Sequence, residues 1–203
     1  MAPPRATSWA HEPLFRAGIV GTLIMYAAVL VLSGALYIVL ETVNRPLALF
    51  ALLLRAGEAI VGVVTVVFSL AVVALLNGDG RAGSLDTLQR PALAGLVLDV
   101  RTAGLDPVLM LVGLGGMLFC YLFFVSRFVP RVLSAWGIVT YTSMLALGVL
   151  SIVVPNHPEA VEIVLYSSGT AFEVVFGGWL ALKGVDVPAG SSVNEASGPA
   201  LAK

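Results

Sequence analysis

The stretch AGIVGTLIMYAAVLVLSGALYIVL, residues 17–40, runs for 24 residues without a charged side chain. A helix rises about 1.5 Å per residue and the hydrocarbon core of a bilayer is about 30 Å thick, so roughly 20 apolar residues suffice to cross it. Residues 17–40 therefore read as a membrane-spanning helix. Arg5 and Arg16 precede the run, as cations precede a secretory leader. A leader core, however, is only about 7–15 residues long and ends at a small-residue cleavage site. This run is too long and reads as a retained span.

The same test selects four more segments: Leu47–Leu76, interrupted by Arg55 and Glu58, then Val108–Val125, Val132–Val154 and Ala160–Leu182. Stop signals separate them. Asn44-Arg45-Pro46 divides the first two, with Pro46 placed to open a helix, and Asn77-Gly78-Asp79-Gly80 ends the second. Pro130 and the string Pro155-Asn156-His157-Pro158 divide the rest. In Ser84–Asp106, Leu85, Leu88, Leu93, Leu96, Val97 and Val100 recur at helical spacing against Asp86, Arg90, Asp99 and Arg101. That segment is too polar to span. It reads as an interfacial helix over about 85–101, kinked near Pro91, or else as a water-facing extension of the following span, broken near Gly104 or Pro107. The expected fold is all-α: a polytopic transmembrane helix bundle of about five spanning helices plus one interfacial helix. It forms a single domain over residues 1–186, with a disordered tail of small and polar residues over 187–203.

Composition agrees. Hydrophobic residues make up 59% of the 203, charged residues 11%, and the mean hydropathy is +0.99. A soluble domain needs about a quarter charged residues to face water. The net charge of −1, with no basic block, excludes a nucleic-acid partner. Cys120 is the single cysteine, so no intrachain disulfide forms. His11 and His157 both lie outside the spans, which excludes a haem held by two histidines and an intramembrane Ser–His pair. No zinc-ligand spacing occurs, and Gly104-Leu105-Asp106 lacks the second intramembrane aspartate an aspartyl protease needs. No catalytic residue, metal or cofactor is expected.

Lys and Arg in short loops set orientation. Arg45, Arg127, Arg131 and Lys183 lie close to helix ends on one side, against Arg5, Arg16, Arg81, Arg90 and Arg101 on the other. The expectation is N-terminus out and C-terminus in.

A charge at mid-span costs at least about 2.5–3.5 kcal/mol and needs a partner or a wet cavity. Arg55 and Glu58 are three apart and share a helix face, which continues through Gly62, Thr65 and Ser69. That face is either the wall of a polar pathway or a neutralised ion pair followed by a seam of small residues. Glu173 is the deepest charge, on one row with Gly169, Gly177 and Ala181. It is a proton or cation site, or a structural interhelical hydrogen bond, with Arg55 as its candidate counter-ion. Asp106 precedes Pro107 at the start of a span and reads as a helix cap. Arg55, Glu58, Asp106 and Glu173 form the candidate intramembrane polar network. Gly62, Gly113, Gly116, Gly148, Gly169 and Gly177 are the candidate helix-packing positions.

Several strings together resemble the bacterial membrane family called domain of unknown function 4386. They are Val43-Asn44-Arg45-Pro46-Leu47-Ala48-Leu49, Leu54-Arg55-Ala56-Gly57-Glu58-Ala59, Gly104-Leu105-Asp106 and Gly113-Leu114-Gly115-Gly116. Tyr121-Leu122-Phe123-Phe124, Val129-Pro130-Arg131-Val132-Leu133, Glu173 and Trp179-Leu180-Ala181-Leu182-Lys183-Gly184-Val185 complete the pattern, over roughly Leu14 to Val185. The resemblance implies a polytopic bacterial membrane protein and no established activity; the expected location is the bacterial inner membrane. It also implies a further span ahead of residues 17–40 that this chain lacks, and a His in many members where this chain has Arg101. Arg55, Glu58, Asp106 and Glu173 are among the matching positions.

The expected role is a non-enzymatic accessory or self-associating membrane component. Its partners would be the lipid bilayer and a second copy or another membrane protein. The alternatives are a small transporter or channel lined by Arg55, Glu58 and Glu173, and a lipid-acting enzyme using Asp99, Arg101 and Asp106.

Overall fold

The computed structural model describes residues 12–86, 88–154 and 159–184, and these are mostly helical, with no strand among them. The elements are α1 (Glu12–Asn77), a 3-10 turn (Gly80–Ser84), α2 (Gln89–Ala103), α3 (Leu105–Ser126), α4 (Arg131–Val153) and α5 (Glu159–Lys183). Four helical stretches are long and apolar enough to cross a membrane: Glu12–Ser84, Gln89–Ser126, Arg131–Val153 and Ile163–Lys183. Their outward side chains are apolar, with Val31, Val132 and Leu182 among the most exposed. Only lipid accepts such a surface without aggregation. The tail 187–203 and the string Pro155-Asn156-His157-Pro158 lie outside the described residues.

α1 is not one rod. Asn44 leaves helical geometry (φ −157°, ψ 96°), and its side-chain Oδ1 accepts a hydrogen bond from the Leu47 N–H at 3.1 Å. Asn44 thus caps a new helix, whose first turn holds Pro46, where a missing N–H costs nothing. The two arms, 12–43 and 45–77, double back on each other. Asn77 at the end of the second arm donates to Glu12 at the start of the first at 2.9 Å. Midway, Gly62 lies against the Tyr26 ring.

The register comes from a heptad pattern. Ile19, Tyr26, Ser33 and Leu40 are buried at intervals of seven on the first arm. On the second arm Ala48, Ala51, Arg55, Glu58, Gly62, Thr65, Ser69 and Val72 are buried at alternating steps of three and four. This is the seam of an antiparallel coiled-coil pair.

Within Ser84–Asp106, α2 leads directly into α3. Gly104 keeps right-handed helical angles (φ −67°, ψ −14°) and joins α2 to α3. Arg90, early in α2, reaches Gly78, and Gly104 at its end faces the Thr65 methyl. α2 therefore runs back along the second arm of α1. Pro91 sits in the first turn of α2 and kinks nothing. Asp106 is likewise in the first turn of α3, with Gly104 at the cap position expected for Asp106.

α3 and α4 pack antiparallel through small residues. A Cβ on Gly113 would lie 2.7 Å from the Leu145 backbone nitrogen, and one on Gly116 would meet the Tyr141 ring at 2.5 Å. On α4, a Cβ on Gly137 would meet Cys120 Sγ at 2.5 Å, and one on Gly148 the Asp106 carbonyl oxygen at 3.1 Å. The core of the bundle (Leu36, Leu40, Ala51, Phe119, Phe123, Val129) sits near the Asn44 end. α5 is the loosest element. It packs on α4, and only 11% of its most apolar window is buried, against 50% for Gln89–Ser126. Its anchor is Phe172, fully buried edge-on against Trp136 and Tyr141 at 5.6 Å and stacked on Phe176 at 5.4 Å.

Candidate functional site: an intramembrane polar groove

Burial of the second arm's polar stripe is what assembles the site. Arg55 and Glu58 are 8% and 4% exposed, and Thr65 and Ser69 are as deeply placed. Arg55 Nη1 lies 2.7 Å from Glu58 Oε2. The angles are not those of a hydrogen bond, and both atoms are buried without such a partner. The contact is a charge pair held by position. The stem of Arg55 is clamped as well, because a Cβ on Gly115 would lie 2.9 Å from Arg55 Cδ. A larger residue at 115 would force that stem to shift, so α3 packs closely on the Arg55 side chain.

Arg55 then forms one wall of a groove of about 240 Å³ among both arms of α1, α3, α4 and α5. Ser33, Cys120, Tyr141, Glu173 and Gly177 also line it. Tyr141 Oη donates to Glu173 Oε1 at 3.5 Å, linking α4 to α5. Glu173 itself is exposed, on the open side of the groove. No ion pair within 4.0 Å joins it to Arg55, although the two share the groove. Ser33 turns inward, its hydroxyl donating to the Val29 carbonyl at 2.7 Å.

Of the four candidate network residues, the structure pairs Arg55 with Glu58 and places Glu173 opposite Arg55. Asp106 does not line this groove, and its main chain faces Gly148 on α4. Of the six candidate glycines, a Cβ on Gly62, Gly113, Gly116, Gly148 or Gly169 would run into a neighbour. At Gly177 it would meet nothing within 4 Å. Gly177 lines the groove instead.

The polar stripe also reaches a second opening. Val66 and Ser69 line a cleft of about 380 Å³ with Leu14, Phe15, Gly18, Ile19, Thr22 and Arg101. Between cleft and groove stands Tyr26, 5% exposed, its ring on Gly62. Tyr26 is the residue the sequence reading omits. The available signal is the interval of seven that joins it to Ile19 and Ser33. No group of three His, Cys, Asp or Glu that could hold a metal ion occurs among the described residues.

The family model described as Domain of unknown function (DUF4386) matches residues 5–184. No curated protein and no solved structure matches the chain.

Proposed function

We propose, starting from a chain that belongs to the DUF4386 family and carries no activity in that description, a role as a non-enzymatic, self-associating membrane component. That the chain is a multi-pass membrane protein follows from its four apolar helical stretches. The doubling back of α1 at Asn44 fits five crossings. Arg45, Arg127, Arg131 and Lys183 fit an inward-facing end, with the N-terminus outside and the bacterial inner membrane as location.

One observation carries the reading. Glu173 is a mid-helix carboxyl on the exposed side of the least buried helix. Facing lipid, it costs several kcal/mol. A second copy laid against α5 and the first arm covers it, and Gly177, with nothing within 4 Å, permits close backbone approach there. Arg55 and Glu58, buried and paired with each other, serve the bundle.

The test is disulfide trapping in native membranes on a Cys120→Ala background, because Cys120 lines the same groove as Gly177. Gly177→Cys is expected to yield cross-linked dimers on mild oxidation. Val31→Cys, 75% exposed but outside the groove lining, is expected to yield none. A single-copy mass in lipid nanodiscs together with no Gly177→Cys dimer refutes the proposal.

A second reading, a small transporter or channel, is favoured by the two openings on one polar stripe with Tyr26 between them. Removing that ring with Tyr26→Ala then opens a continuous path. Liposomes holding Tyr26→Ala would leak protons or cations on this reading and stay as tight as wild type on the first.

A further inference from the structure

The cleft at the other end of the polar stripe has a chemistry of its own. It opens between the two arms of α1 and α2, near the end of the bundle marked by the Glu12–Asn77 contact. Its walls are largely apolar: Leu14, Phe15, Ile19 and Val66. Its one charge is Arg101. Arg101 makes no ion pair among the described residues, and its Nε is buried without a hydrogen-bond partner. Of the neighbouring polar groups, Glu58 is paired with Arg55, and the Thr22 hydroxyl donates to the Gly18 carbonyl at 2.9 Å.

A guanidinium in an apolar cleft needs an anion, and among anions it matches phosphate best, through its planar fork of donors. Leu14 is 74% exposed at this cleft, where an aqueous anion offers it no apolar cover. A phosphate that carries its own acyl chains satisfies charge and wall together. Basic pockets at the ends of membrane bundles hold lipid head groups in this way. We infer that the cleft lined by Arg101, Ser69, Phe15 and Ile19 is a binding site for one anionic phospholipid, its phosphate on Arg101 and its chains along the first arm.

The experiment is native mass spectrometry of the full chain in neutral detergent, offered phosphatidylglycerol or phosphatidylcholine with the same acyl chains. Two variants accompany it. Arg101→Gln removes the charge. Gly18→Leu places a bulky side chain on the cleft wall with the charge kept, starting from a Cβ that meets nothing within 4 Å. One phosphatidylglycerol per chain is expected, retained about tenfold over phosphatidylcholine. In both variants that preference falls to within about twofold. Inorganic phosphate at millimolar concentration is expected not to displace the lipid. Equal retention of the two lipids, or a preference that survives Arg101→Gln, overturns the site. Displacement by inorganic phosphate assigns Arg101 to a free anion and overturns the lipid. Loss in Arg101→Gln with full retention in Gly18→Leu moves the lipid out of the cleft and overturns it too.

Discussion

Replacing Gly113 by alanine tests the α3–α4 contact at the point where it has least freedom to adapt. The added Cβ would lie 2.7 Å from the Leu145 nitrogen and 2.8 Å from its Cα. These are main-chain atoms inside a helix, so no rotamer change relieves the overlap. Carbon atoms rest at about 3.5–4.0 Å, which forces the two helices apart by about 0.8 Å locally. A gap of that size forfeits roughly a third of each van der Waals well, and about 40 contacts at ~0.15 kcal/mol each then lose about 2 kcal/mol. Overpacked cores typically lose a similar amount, about 1–3 kcal/mol. The control is Gly21→Ala, where the Cβ meets nothing within 4 Å. Thermal unfolding of both variants in one mild detergent gives the comparison. Gly113→Ala is expected to melt about 4–8 °C below wild type, and Gly21→Ala at the wild-type temperature or slightly above it. If the two variants melt together, the close approach of α3 and α4 at this level does not exist.

Other substitutions probe other parts of the fold. Arg55→Met leaves Glu58 charged and buried, and a loss of about 3 kcal/mol is expected. The double variant Arg55→Met/Glu58→Met should recover most of it, as read from the two melting temperatures. A double variant no better than the single one would mean the pair does not share one buried site. Asn44→Ala removes the cap of the second arm and should lower stability by about 1 kcal/mol. Arg127 ends α3 in the left-handed region (φ 61°), its N–H bonded to the Phe123 carbonyl at 3.0 Å. Glycine accepts that conformation freely, so Arg127→Gly should raise the melting temperature by the equivalent of about 0.5–1 kcal/mol. A drop there would show that the Arg127 side chain contributes more than its backbone costs.

Much of the architecture is legible in the sequence because lipid imposes a simple rule. A run such as residues 17–40 must be helical, and Asn44-Arg45-Pro46 must interrupt it, since a cap and a proline both favour a fresh start. Which helices touch is far less legible. The stripe Arg55–Glu58–Gly62–Thr65–Ser69 is visible as a face, but nothing in it names Tyr26 as the ring that fills Gly62. That match depends on the register of the hairpin, which one capped turn fixes. The path of α2 is hard to read for a related reason. Its polar residues suit an interface, yet Gly104 permits the helix to continue, and packing on α1 decides its direction. Asp106 has the residue type of a network member, but its position along α3 keeps it out of the groove.

α5 has a further consequence, for the order in which the molecule is made. It is the last of the described helices to leave the ribosome, and it joins the others chiefly through α4 and the Phe172 side chain. The hairpin, α2, α3 and α4 can therefore close on one another before α5 has entered the bilayer. During that interval Arg55 and Tyr141 look out through an open doorway. The final helix brings Glu173, which accepts from Tyr141 and shares the groove with Arg55, so the polar lining of the groove is complete only once the last helix is in place.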